Sequence, residues 1–296
     1  AIEGMAGIGK TALAVHVAHL IAPQFPDGQL FIELHGYTPG REPVSPSAAL
    51  DRFLRALGIS PSRIPEDLDE RAALWRSEVA KRRLLIVLDN ANSHEQVRPL
   101  LPGVPGSCVV ITSRRQLSAL EGTSKLSLDV LDEEDGVTLL GRIVGPACKE
   151  ADEDAIRTVV RLCGNLPLAI QLVGSRWRHR PAWKVGDLLD KLQNARTRFN
   201  VMSAESMEIR IAFDVSYEHL GNECKQLFRR LGLHLGPDST SYIAAVLMEC
   251  ELEHAETLLD DLFSQSLIHE PERGRYRFHD LLRDFASAKA RSEETE

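Results

Sequence analysis

Gly4-Met5-Ala6-Gly7-Ile8-Gly9-Lys10-Thr11 has the spacing G-x-x-x-x-G-K-[ST], and Ala12 to Ile21 behind it carries apolar residues at helical intervals. Glycines let a backbone turn its N–H groups inward as an anion-binding nest, and the N-terminus of the following helix completes the nest with its positive dipole end. Gly7, Ile8, Gly9, Lys10, Thr11 and Ala12 are therefore the expected phosphate cradle. Lys10 would reach the β- and γ-phosphates, and the Thr11 hydroxyl would face Mg²⁺. The pattern predicts a bound nucleoside di- or triphosphate.

Leu84-Leu85-Ile86-Val87-Leu88-Asp89 is the second anchor: an apolar run of strand length that ends in a carboxylate. Downstream of a phosphate cradle, such a strand places its acid, Asp89, opposite Thr11 as a second oxygen for the metal. Cys108 to Thr112 is a further apolar strand, and it carries Ser113 and Arg114 to the sheet edge where ligands of parallel sheets bind. Spacing leaves Arg114 open between a sensor of the γ-phosphate and a surface arginine beside Arg115.

Gln29 to Leu34 and Lys125 to Leu128 complete the set of predicted strands, with helical spacing at Ala48 to Leu57 and Glu70 to Val79 between them. Strands alternating with helices predict an α/β fold with a parallel sheet that ends near Leu128. Beyond it the spacing is helical at Asp132 to Ile143, Asp154 to Leu162 and Leu168 to Arg176, with Gly164-Asn165-Leu166-Pro167 as a helix break. Arg176-Trp177-Arg178-His179-Arg180 reads as a basic helix end that complements the dipole.

From Glu205 the character changes again. Met207 to Tyr217, Glu223 to Leu231 and Ser241 to Met248 are predicted helices, and Ala255, Leu258, Leu259, Leu262 and Phe263 share one helical face. Leu267 to Glu270 and Tyr276 to Phe278 then flank Pro271 to Arg275 as a hairpin, the order of elements in a winged helix. Winged helices commonly bind DNA, but residues 205–296 hold 10 Lys or Arg against 19 Asp or Glu. The helix before the hairpin carries Glu253, Glu256, Asp260 and Asp261 and neither Lys nor Arg, a face that repels a phosphate backbone.

At 296 residues, 43% hydrophobic and 26% charged, with a formal net charge of −8, the composition is that of an ordinary globular protein with room for two or three cores. The purely apolar runs, Leu84 to Leu88 among them, are far short of the roughly 20 residues that cross a bilayer, so no membrane span is expected. Cys108, Cys148, Cys163, Cys224 and Cys250 are scattered without a C-x-x-C pair, which suits a reducing cytoplasm and suggests neither a disulfide framework nor zinc. Only Ala1-Ile2-Glu3 precede the cradle, where a full strand is expected, so the sequence reads as a fragment of a longer protein.

With these segments in order, the chain resembles the NB-ARC branch of the signal-transducing ATPases with numerous domains (STAND). The likeness covers nearly the whole chain. It lies nearest the large bacterial regulators of antibiotic production, through Leu88-Asp89-Asn90-Ala91 and Phe278-His279-Asp280-Leu281-Leu282-Arg283. The resemblance implies that Arg114, after Thr112-Ser113, is the phosphate sensor and that Asp89 serves the metal. It also implies that Pro167, in a match to the family's G-L-P-L-A motif with Asn165 for Leu, packs near the base. His279, in the place of the M-H-D histidine with Phe278 for Met, would contact the β-phosphate of ADP. Many relatives have an acid after the Walker B aspartate, and here that position is Asn90, whose amide cannot take up a proton.

The expected architecture is an α/β P-loop NTPase domain with a parallel sheet over residues 1–128, a helical domain over 129–203 and a winged-helix domain over 204–296. The expected function is an ADP/ATP switch with Mg²⁺, an ATPase of weak turnover at most. Turnover ATPase and DNA-binding module are the alternatives. As the resemblance implies, partners are an upstream effector domain, downstream sensor repeats and further copies of the chain on activation. Direct contact with nucleic acid or membrane is not expected.

Overall fold

The computed structural model describes residues 1–38, 41–149, 151–178, 180, 182–193, 213–214, 216–236 and 238–294. They divide into two compact units, one of residues 1–4 and 9–128, the other of residues 5–8 and 129–296.

The first unit is built on strands β1 (Ile2–Glu3), β2 (Gln29–Glu33), β3 (Leu85–Ala91), β4 (Cys108–Ser113) and β5 (Leu126–Ser127). Their order is β2-β3-β4-β1-β5, and every neighbouring pair is parallel. Helices α1 (Lys10–Ile21), α2 (Pro46–Ala56), α3 (Leu68–Val79) and α4 (His94–Val97) make the connections. β3 shows why the sheet forms: Leu85 to Asp89 are all buried, as expected of a strand covered on both faces. Leu84, Ile86 and Leu88 join Leu50, Phe53, Leu54 and Trp75 of α2 and α3 in one core, while Val87 joins Ile2 and Ala14 in a second core. The period-two pleat thus divides a continuous apolar run between two layers.

Local chemistry sets the helix starts. The Ser45 hydroxyl accepts from Ala48 N–H ahead of α2, with Pro46 at the first helical position, and the Asp67 carboxylate accepts from Asp69 and Glu70 N–H ahead of α3. In the second unit, Asp132 caps α5 (Glu133–Val144) and Asp152 caps α7 (Glu153–Leu162) in the same way. α6 (Pro146–Lys149) lies between them, and α8 (Pro167–Arg178) and α9 (Val185–Gln193) follow. The break before α8 is a pair of left-handed residues, Gly164 at φ 61° and Asn165 at φ 54°, and Pro167 then opens the new helix.

α10 (Asn222–Leu233), α11 (Ser241–Met248) and α12 (Leu252–Ser264) precede an antiparallel pair, β6 (His269–Glu272) and β7 (Arg275–Arg277), and α13 (Asp280–Glu293) closes the chain. The turn of this hairpin is tighter than the sequence pattern predicts. Pro271, Glu272 and Arg275 belong to the strands, and Arg273-Gly274 alone make the turn because Gly274 supplies φ 73°. Phe213, Tyr217, Phe228, Phe278 and Phe285 form an aromatic core in which Phe228 meets Phe278 edge to face at 5.1 Å. Most of the predicted helix Met207 to Tyr217, the expected boundary at 203/204 and part of the basic stretch at 176–180 lie outside the described residues. Among the described residues no helix is long and apolar enough to cross a membrane.

Candidate functional site

Three strands of the first unit bring their carboxyl ends to one edge, and the expected site residues of that unit meet there. α1 starts at Lys10 directly behind Gly9, whose φ of 99° is a conformation a side chain would strain. The Thr11 hydroxyl donates to Asp89 Oδ1 at 2.8 Å, although 78 residues separate them. Thr112, from the end of β4, donates to the same oxygen at 2.6 Å. Asp89 is 7% exposed, so two hydroxyls balance its burial and hold it in one rotamer. Two hard oxygen donors from Thr11 and Asp89 side by side suit Mg²⁺, which prefers oxygen ligands, keeps much of its water and is commonly held by one or two protein groups.

Lys10 folds back over the cradle and donates to the Gly4 carbonyl at 2.7 Å. Burial, and then the charge of Arg114, push its ammonium down to about 7, while Asp89 pulls the other way. Arg114 is also enclosed, with its guanidinium carbon 5.0 Å above the Tyr37 ring, a cation–π contact that directs the side chain. Two cations lie in mutual repulsion at the carboxyl end of the sheet. A polyphosphate would relieve both.

A proton linkage follows. Phosphate oxygens beside Lys10 restore its charge, so between about pH 7 and 10 the nucleotide complex holds more protons than the free protein, and affinity falls as pH rises through that window. Calorimetric titration of ADP at pH 8 in two buffers of different ionisation enthalpy should show uptake of a large fraction of one proton. Identical heats in both buffers would mean that Lys10 is already charged.

Residues 5–8, the middle of the cradle, pack with the second unit. The Gly7 carbonyl accepts from Leu168 N–H at 3.2 Å, and a Cβ on Gly7 would lie 3.0 Å from the Leu168 Cβ, so glycine is needed for the approach as well as for φ 78°. Ile8 is buried and Ala12 is exposed. Pro167 stands next to Leu168 at the start of α8, beside the contact with Gly7. His279 is the residue before α13, with Nε2 3.6 Å from Asp129 Oδ1 and its ring stacked on His269 at 4.4 Å. Burial lowers the His269 pKa, although Asp129 opposes the shift.

The sequence pattern passed over Tyr37, Thr112 and Gly36. Gly36 is the least visible of them: its N–H donates to the Asn90 carbonyl at 2.8 Å, and a Cβ there would stand 2.5 Å from that oxygen. A lone glycine after a predicted strand was the available signal, and it does not say which backbone it approaches.

No family model matches the chain. The chain is 44% identical over 294 residues to the regulatory protein AfsR of Streptomyces griseus, a match that takes in 99% of this chain and 30% of that protein. It is 26% identical over 310 residues to apoptotic protease-activating factor 1 of Danio rerio, covering 99% of this chain and 24% of that one. Among solved structures, the Walker-type ATPase of Pyrococcus abyssi superposes with a TM-score of 0.60 at 14% identity, over 96% of this chain and 89% of that one, a likeness of fold.

Proposed function

The chain belongs to the NB-ARC branch of the STAND P-loop NTPases, and from that premise we propose that it is the nucleotide-operated switch of a larger regulator. It rests closed on ADP and opens, exposing surfaces for further copies of itself, when ATP replaces ADP. The observation that carries this reading is the Thr11–Asp89 hydrogen bond at 2.8 Å beside Lys10 and Arg114. These residues suit the phosphates of a nucleotide with Mg²⁺, which would screen the phosphate charge when bound, and adenine is taken from the family reading. In the same reading an effector lies upstream and sensor repeats downstream, residues 204–296 are a winged helix turned to signalling rather than to DNA, and the compartment is the cytoplasm. Denaturing the purified protein and identifying what it releases is the direct test. ADP near one per chain is expected, and a protein that arrives empty and takes up no adenine nucleotide overturns the reading.

His279 is the proposed reader of the β-phosphate of ADP. A charge-assisted hydrogen bond is worth roughly 1.5 to 3 kcal/mol, so His279→Ala should release a fluorescent ADP analogue about 10- to 100-fold faster and copurify with less ADP. Lys10→Ala, by contrast, should weaken ADP and ATP alike. If His279 serves only its contacts with Asp129 and His269, the ADP release rate will not move.

A further inference from the structure

We propose that Glu33 is the carboxylate that orients the attacking water and takes its proton when ATP is hydrolysed, supplying from the neighbouring strand the acid that Asn90 replaces. This rests on the switch reading and adds the step that returns the ATP state to the ADP state.

The parallel register of β2 on β3 sets Glu33 directly opposite Asp89. Both acids therefore leave the sheet at its carboxyl end, one strand apart, about 4.8 Å in the hydrogen-bonding direction. Asn90, the next residue of β3, takes a left-handed φ of 57°. Its amide donates to the Thr38 hydroxyl at 3.0 Å, and that hydroxyl donates to Glu33 Oε1 at 2.8 Å. The Asn90 amide also faces the Glu33 carboxylate, and His35 Nδ1 lies 3.1 Å from it. The position after Asp89 thus holds a donor that fixes a carboxylate on the adjacent strand.

The other two carboxylates at these strand ends, Asp89 and Glu3, are buried. Asp89 is buried and receives Thr11 and Thr112 on one oxygen. Glu3 is 4% exposed and accepts from Leu117 N–H at 2.7 Å. The Glu33 side chain keeps 43% of its area open, so a water molecule can reach it. In the proposed step the water oxygen bonds to the γ-phosphorus and the bond from that phosphorus to the β–γ bridging oxygen breaks. ADP leaves with the electron pair. The proton released by the water passes to Glu33 and then to the freed phosphate. Asn90, Thr38 and His35 are positioning residues.

The test compares the unmodified protein with Glu33→Gln, Glu33→Asp and the exchange Glu33→Asn with Asn90→Glu. A positioned base typically contributes about 10²- to 10⁴-fold, so Glu33→Gln should slow single-turnover hydrolysis by that factor. Its melting shift with Mg²⁺ and ADP should be unchanged, and the nucleotide released on denaturation should change from ADP toward ATP. Glu33→Asp should keep part of the rate. The exchange variant should recover at least about tenfold over Glu33→Gln, because it returns the carboxylate to the position after Asp89. Hydrolysis by Glu33→Gln at the unmodified rate overturns the proposal, as does an unmodified protein that binds ATP and never hydrolyses it. If Glu33 only braces the loop after β2, its variants will melt lower with the rate per bound ATP unchanged, which also overturns it. Those results leave the switch standing, whereas absence of nucleotide binding removes both.

Discussion

Lys10→Ala is expected to abolish the rise in melting temperature that ADP with Mg²⁺ gives the unmodified protein. A ligand that binds only the folded state at about 100 times its dissociation constant adds roughly 2.7 kcal/mol, which moves a chain of this size by several degrees. Lys10 is central because its ammonium folds back over the cradle, donating to the Gly4 carbonyl at 2.7 Å, and is the cation at the start of α1. Without it the backbone nest remains but loses a full positive charge in an enclosed place, where charges are poorly screened. The substitution also strips the buried Gly4 carbonyl of a donor, so the free variant will melt somewhat lower and must serve as its own baseline. Thermal scans with and without nucleotide measure both effects. A variant that keeps the full rise would remove the cradle from the functional account.

Trp75→Ala should cost about 3 to 5 kcal/mol and act through the fold of the first unit alone. Trp75 is fully buried, its ring stacks on Phe53 with centroids 5.2 Å apart, and Nε1 donates to the Leu100 carbonyl at 2.9 Å. Truncation leaves a void between α2 and α3 that close-packed neighbours fill only in part, and it orphans the Leu100 carbonyl. Trp75→Phe retains most of the volume but loses part of the ring and the hydrogen bond, so it should cost less, about 1 to 3 kcal/mol. Urea midpoints for the two variants, both of which lack the hydrogen bond, measure the share of the loss that packing carries. A loss below about 1 kcal/mol for Trp75→Ala would mean that the core between α2, α3 and the sheet contributes little to this unit.

Local pattern alone determined a good deal. The glycine spacing before Lys10 marked the cradle, because only a turn that tolerates positive φ can aim successive N–H groups at an anion. The apolar run before Asp89 marked the central strand, because a parallel sheet covered on both faces leaves no polar position in it. The helix start at Asp132 was legible, and its side chain caps the following N–H groups, since capping acts over three residues; Asp152 and Thr240 do the same ahead of α7 and α11, two and one residues before the starts that spacing predicts. Even the doubt about Asn90 was a matter of one side chain's chemistry.

Everything that depends on which strand lies beside which was left to the tertiary structure. Period-two and helical spacing say nothing of neighbours, so the placement of β4 between β1 and β3, which brings Thr112 to Asp89, had no local signature. The same holds for Tyr37 beneath Arg114 and for the packing of residues 5–8 with the second unit. Glu33 is the clearest case. In the sequence it is one polar residue at the end of a strand, 57 positions from Asn90, and pairing of β2 with β3 turns it into that residue's partner. Strand pairing and register are settled by burial summed over the whole sheet, and a functional group made of two strands exists only once that sum has chosen the neighbours.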